Sequence, residues 1–267
     1  MKHPVAIAAL ILLVAAAPGE PKPAVTLMTG LPLHWGETGP FDPASRPAAS
    51  FVDLREEFAF VPLDVLDSAG LARGQVLFLA QPQRLGPAEL AAVDGWIRGG
   101  GRALILIDPM LTWPSALPPG DIRRAPSVGL LGPLLHHWRL ALDAPAEPRE
   151  LRSRWKGRSL LMDSPGRLRS AGPGCVVAPQ GWTALCRLGP GRVRVVADAD
   201  LMSDSLWARS DNRAVVRDWL DELAGVRRPE PSRWESAGGG GLPALLALAA
   251  AGALVGIALL LMRVRRR

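Results

Sequence analysis

The 267-residue chain contains two cysteines, four histidines and no tyrosine. Two cysteines exclude a disulfide scaffold and a multi-cysteine zinc module. The histidines are His3, His34 and the adjacent pair His136-His137. Neighbours on a helix point about 100° apart, so the pair is a poor metal site, and neither metal nor cofactor is expected. Charged residues are only 21% of the chain, but 48% is hydrophobic, which excludes a disordered chain. Acidic residues are missing altogether from 1–19 and 238–267, and that absence explains the net charge of +6. Lys2 with Arg263, Arg265, Arg266 and Arg267 supplies five of those charges, leaving 26 basic against 25 acidic residues elsewhere. The basicity belongs to the ends of the chain, and no nucleic-acid surface is expected.

The run Val5 to Ala17, VAIAALILLVAAA, follows Lys2 and His3. As a helix it reaches about 20 Å, short of a bilayer core of roughly 30 Å. A basic start, a short apolar run and small residues make 1–19 a secretory signal or an uncleaved N-terminal anchor. Leu242 to Met262 is a longer run, uncharged throughout and rich in Leu, Ile and Val, which reads as a transmembrane helix. The four arginines that follow in 263–267 hold that end in the cytoplasm by the positive-inside bias. Both signals place the segment between them outside the cytoplasm, at the bacterial inner membrane. Gly252 and Gly256 are spaced for close helix approach or are plain filler in an Ala-rich span. Residues 227–241, RRPEPSRWESAGGGG, form a linker stiff in its first half and loose in its second.

Residues 20–226 remain for one exported domain. Val76–Ala80 and Ala103–Ile107 are continuous apolar runs, the pattern of strands buried on both faces of a parallel sheet. Between them, Pro87 opens a helix striped by Leu90, Val93 and Ile97 and stopped by Gly99-Gly100-Gly101. Val25–Met28 is an early strand, Leu54–Phe58 a helical piece, and Phe60–Leu63 a second extended piece. A further helix is expected over Gly129–Asp143, a late strand over Val193–Ala197, and a last helix capped by Asp211 and closed at Gly225. This order predicts an α/β fold with an open parallel sheet. Residues 155–188 break the pattern as a small antiparallel flap, with Cys175–Ala178 and Trp182–Cys186 as a hairpin around Pro179-Gln180-Gly181. Cys175 and Cys186 lie on its opposite arms, either bridged or free, and an exported hairpin favours the bridge.

The segments LFLAQPQRLGPAELAAVDGWIRGGGRALILIDP (77–109) and GRVRVVADADLMSDSLWARSDNRAVVRDWLDEL (191–223) resemble the soluble domain of GldG-type ABC-transporter auxiliary proteins and a similar membrane-anchored bacterial family. LLGPLLHHWRLALD (130–143) resembles a helix of that family. The resemblance implies a fold similar to flavodoxin and to class I glutamine amidotransferases, without amidotransferase chemistry. The chain departs from those relatives in having one C-terminal span without a fused permease, and Ser203-Asp204 where they carry Ser-Asn.

An amidotransferase or hydrolase needs a nucleophile on a sharp strand-to-helix turn. The turns here carry Gln81-Pro82 and Asp108-Pro109, with neither Ser nor Cys. Gly99–Gly101 ends a helix before a strand, the reverse of a phosphate loop. In open α/β sheets ligands bind beyond the carboxyl ends of the strands. Thr29, Gly30, Gln81, Asp108, Asp198 and Asp200 stand at those ends and are the candidate ligand-binding residues. The two Asp readings are a ligand or cation site, and turn residues accepting backbone N–H bonds. Trp113 and Trp207 are candidates to border the crevice or to fill the core. The expected role is a non-catalytic accessory or binding subunit of an envelope membrane complex, its 242–262 helix docking to an integral-membrane partner. The resemblance adds an auxiliary role beside an ABC-type transporter. The alternative is an envelope carbohydrate- or peptide-processing enzyme using the Asp cluster.

Overall fold

The computed structural model describes residues 21–39 and 41–227. The N-terminal run, residues 228–241 of the linker, the 242–262 run and the arginine tail lie outside the described residues. Among the described residues no helix is long and apolar enough to cross a membrane.

In chain order the elements are β1 (Ala24–Thr29), α1 (Ala49–Leu54), β2 (Ala59–Pro62), α2 (Ser68–Leu71), β3 (Val76–Ala80), α3 (Pro87–Arg98), β4 (Arg102–Leu106), α4 (Gly132–His137) and β5 (Leu140–Asp143). There follow β6 (Glu150–Trp155), β7 (Arg158–Asp163), β8 (Arg167–Ser170), β9 (Cys175–Val177), β10 (Thr183–Leu188), β11 (Gly191–Val196), a 3-10 turn over Asp200–Met202, α5 (Asp204–Trp207) and α6 (Asn212–Ala224). The central sheet runs β2-β1-β3-β4-β11-β10-β9, parallel as far as β11 and antiparallel over β10 and β9. The expected α/β fold with a mostly parallel sheet is what the chain forms.

The unbroken apolar runs are explained by cover on both faces. In β3, Val76, Phe78 and Ala80 join the core beneath α1 and α6, while Leu77 and Leu79 join the one beneath α3 and α4. Every residue of β3 is buried, so neither face tolerates polarity. Trp219 of α6 meets Trp182 and Trp155, with ring centroids 6.3 and 5.8 Å away. Truncating such a buried indole costs about 3–5 kcal/mol.

Four expectations need correction. The helix over 129–143 stops at His137, because Arg139 takes a left-handed backbone (φ 56°) and Leu140–Asp143 then pairs with β8. The 155–188 flap is not one unit: β9 and β10 extend the central sheet, and the separate antiparallel pieces are β5-β8 and β6-β7. The early helix falls at 49–54, and 55–57 are turn. Asp211 stands at the N-cap of α6, but its carboxylate accepts the Ser159 N–H (2.8 Å) instead of a helix N–H. Gly225 closes α6 with φ 76°, a conformation that suits glycine. Cys175 and Cys186 face each other across β9 and β10 and are bonded as a disulfide.

Candidate functional site

β1 lies between β2 and β3, so the chain leaves it toward one side and returns on the other. The carboxyl ends of β1 and β3 flank that switch, where open α/β sheets form their ligand crevice. Thr29 ends β1 with Gly30 just beyond it, and Gln81 follows β3, and their polar groups are bonded within the rim. Thr29 Oγ1 donates to Ala80 O (2.9 Å), and the Gly30 N–H donates to Gln81 O (3.0 Å). A Cβ at position 30 would stand 2.4 Å from Gln81 O and 2.9 Å from Pro126, so only glycine allows this closeness. Gln81 takes a left-handed backbone (φ 45°) and is buried. Its Nε2 donates to Pro126 O (2.8 Å) and Asp108 O (3.1 Å), and its Oε1 accepts the Asp108 N–H (2.8 Å). The side chain thereby fastens both ends of the long segment 107–131 to the sheet.

The three aspartates do converge, inside the rim. Asp108 accepts the Met110 and Ala199 N–H groups (2.7 and 2.9 Å). Asp198 accepts those of Leu201 and Asp163 (2.7 and 2.9 Å). Asp200 Oδ2 accepts from Thr112 N and Oγ1 (2.7 and 2.9 Å), while its buried Oδ1 has no partner. The backbone-acceptor role foreseen for Asp108 and Asp200 is thus the geometry found. Burial pushes Asp108 up to about 7 against the opposing backbone bonds, with Asp200 adding to the rise. Burial likewise raises Asp200 to about 6. Asp198 is held well above the usual carboxylate range by burial, then by the charges of Asp108 and Asp200. Among the described residues no three His, Cys, Asp or Glu side chains are grouped to hold a metal ion.

The open space lies farther out, between loops 30–48 and 107–131. A cleft of about 430 Å³ there is lined by Pro32, Glu37, Leu111, Trp113, Arg124 and Ser127 among others. Glu37 accepts the Ala116 N–H (2.7 Å), joining the two loops, and Arg124 donates to Leu117 O (3.0 Å). Of the two readings left open, Trp113 meets both, bordering this cleft and packing against the core, whereas Trp207 is buried and donates to Asp53 (2.7 Å). Ser115 and Ser127 also line it, and among the described residues neither hydroxyl is bonded to a histidine or carboxylate. The cleft's lining mixes apolar residues, three of them prolines, with the polar side chains of Glu37, Asp121, Arg124, Ser115 and Ser127.

Sequence reasoning missed Thr112, Asp163 and Pro126. The available signal was length: 107–131 is far longer than the connections usual in compact domains, and such loops are commonly functional. Asn212 was missed too, although it is fully buried, bonding Leu161 N and O and Leu201 O (2.8–2.9 Å) to lock β7 to α6.

The fold and rim define an α/β protein with its cleft beyond the carboxyl ends of a mostly parallel sheet. No protein-family model and no curated protein matches the chain. Among solved structures it is similar to the N-terminal domain of mmIFT52, at 15% identity over 66% of this chain and 89% of that one, with a TM-score of 0.45. It is also similar to a putative ThuA-like protein from Bacteroides uniformis, at 9% identity over 78% and 94% of the two chains (TM-score 0.45). A β-galactosidase from Rahnella sp. R3 is similar at 14% identity over 79% and 33% (TM-score 0.42), so the chain spans about a third of that enzyme's length. None of these likenesses assigns a family or an activity.

Proposed function

We propose that the chain is a binding subunit of a bacterial envelope membrane complex. In this reading 1–19 directs export, the 242–262 span holds the chain in the inner membrane, and the four terminal arginines lie in the cytoplasm. The span docks to an integral-membrane partner, and the domain works outside the cytoplasm. The resemblance in 77–109 and 191–223 supports a place beside an ABC-type transporter. The order β2-β1-β3-β4-β11 is that of flavodoxin-like sheets, and we read the fold as that arrangement in its amidotransferase-like form.

The observation that carries binding over catalysis is the use made of the rim carboxylates. Each of the three accepts main-chain N–H bonds from the segments around it, so they brace the backbone behind the cleft. Extraction of the full-length chain in mild detergent, with its companions identified by mass spectrometry, tests the proposal. An integral-membrane protein is expected to co-purify, and to be lost when 242–262 is exchanged for an unrelated apolar span. Recovery of the chain alone, or from the soluble fraction without detergent, defeats it.

One feature favours an envelope carbohydrate- or peptide-processing enzyme instead: burial pushes Asp108 up to about 7, and the charge of Asp200, whose buried Oδ1 has no partner, adds to the rise. That reading requires turnover of such a substrate, abolished by Asp108→Asn in a protein that remains folded.

A further inference from the structure

Both ends of the described domain leave from one edge of the sheet. β1 starts there at Ala24, and Arg102, which starts β4, donates to Leu223 O (2.9 Å) and so fixes the last turn of α6 beside it. The end of α3 arrives there as well, since a Cβ at Gly191 would stand 1.9 Å from Ile97 O. This amino edge is opposite the cleft-bearing rim.

The edge is positively charged and its charge is unanswered. Lys22, Arg73, Arg102, Arg187 and Arg192 are exposed along it, and none has a carboxylate partner among the described residues. The nearby carboxylates are taken: Asp94 by Arg98, Glu56 and Glu57 by Arg213, and Glu222 by Arg194 and Lys156. Arg187 and Arg192 are direct cross-strand partners in the β10-β11 ladder. Like charges so placed destabilise a sheet, so the pair is a burden on the fold.

We propose that the amino edge docks on the anionic phospholipid surface of the membrane that anchors the chain. The proposal rests on the membrane-anchored reading above. A lipid surface is the partner because the edge is broad, bears exposed arginines on several elements, and is where the chain enters and leaves the domain. Basic groups within a Debye length of anionic headgroups are attracted to them, and the attraction fades with salt. Docking there leaves the cleft at the opposite edge open to a partner.

The test uses the full-length chain with vesicles of phosphatidylcholine alone, or with about one third phosphatidylglycerol. Flotation reports anchoring, and amide hydrogen exchange in the turns at 73–75 and 99–101 and at Gly189 reports docking. The expected result is flotation with both vesicles and exchange slowed about tenfold only with phosphatidylglycerol, relieved by high salt. Arg73→Glu with Arg192→Glu removes the slowing but not the flotation. Arg192→Glu also places opposite charges across the ladder, so the variant melts no lower than the parent unless misfolded; Arg73→Gln with Arg192→Gln gives an intermediate effect. Equal exchange on both vesicles in a floating chain overturns the proposal. Flotation with phosphatidylglycerol alone upholds the edge and defeats the anchor, and flotation with neither defeats both.

Discussion

At the carboxyl edge of the sheet the chain crosses between elements in the long loops 30–48 and 107–131, while at the amino edge it returns through segments of four residues or fewer at 55–58, 72–75, 99–101 and 189–190. The rim is held by buried polar ties, the carboxylates of Asp108, Asp198 and Asp200 and the amide of Gln81. The amino edge is held by close backbone approach, with Gly191 against Ile97 O and Gly74 against Thr26 N. Long loops present many unpaired N–H groups and need buried acceptors, whereas short turns leave few and need room. Burial raises Asp108 to about 7 and Asp200 to about 6, so the two edges should respond differently to substitution and to pH.

The largest effect is expected at the amino edge. Gly191→Ala drives a methyl group into the Ile97 and Gly101 carbonyls and should cost roughly 3 kcal/mol, equally at pH 5 and pH 8, by denaturant unfolding. At the rim, Asp108→Ala strands the Met110 and Ala199 N–H groups and should cost about 2–3 kcal/mol at pH 5. At pH 8 the loss should shrink, because the substitution also removes a buried charge facing Asp200. The third effect belongs to the unmodified chain. Asp108 and Asp200 hold protons in the folded state to about 7 and about 6, well above their unfolded values. Their contribution to stability is therefore full below the unfolded pKa and is lost as pH rises through these values. Stability should fall by on the order of 2 kcal/mol from pH 5 to pH 8, read as a lower melting temperature, with Asp108→Asn flattening the slope. A pH-sensitive Gly191→Ala penalty, or a pH-independent Asp108→Ala one, would erase the contrast between the edges.

Much of this division was legible in the residues. The apolar runs 76–80 and 103–107 mark strands buried on both faces, and the residues that end them lie at the rim, which is how Gln81 and Asp108 were found. Their partners were not legible, because Thr112 and Pro126 reach the cluster through a loop without periodicity. Trp138-Arg139 gave no breaker signal: Arg139 is left-handed because β5 must turn to pair with β8, a tertiary demand on a sequence that locally suits a helix. β9 and β10 read as a hairpin, and nothing in a hairpin's own residues says which sheet it joins.

The disulfide has a consequence for how the sheet meets other chains. A sheet ends in two rows of unpaired backbone groups, and each row invites a foreign strand. Here one outermost strand, β2, is four residues long and stops at Pro62, which has no N–H to offer. The other, β9, is three residues long and is tied by Cys175 to Cys186 of its neighbour. While the bond stands, β9 cannot peel away to bare the longer β10. The bridge is then a guard against aggregation, and reducing conditions would reveal it first as lost solubility.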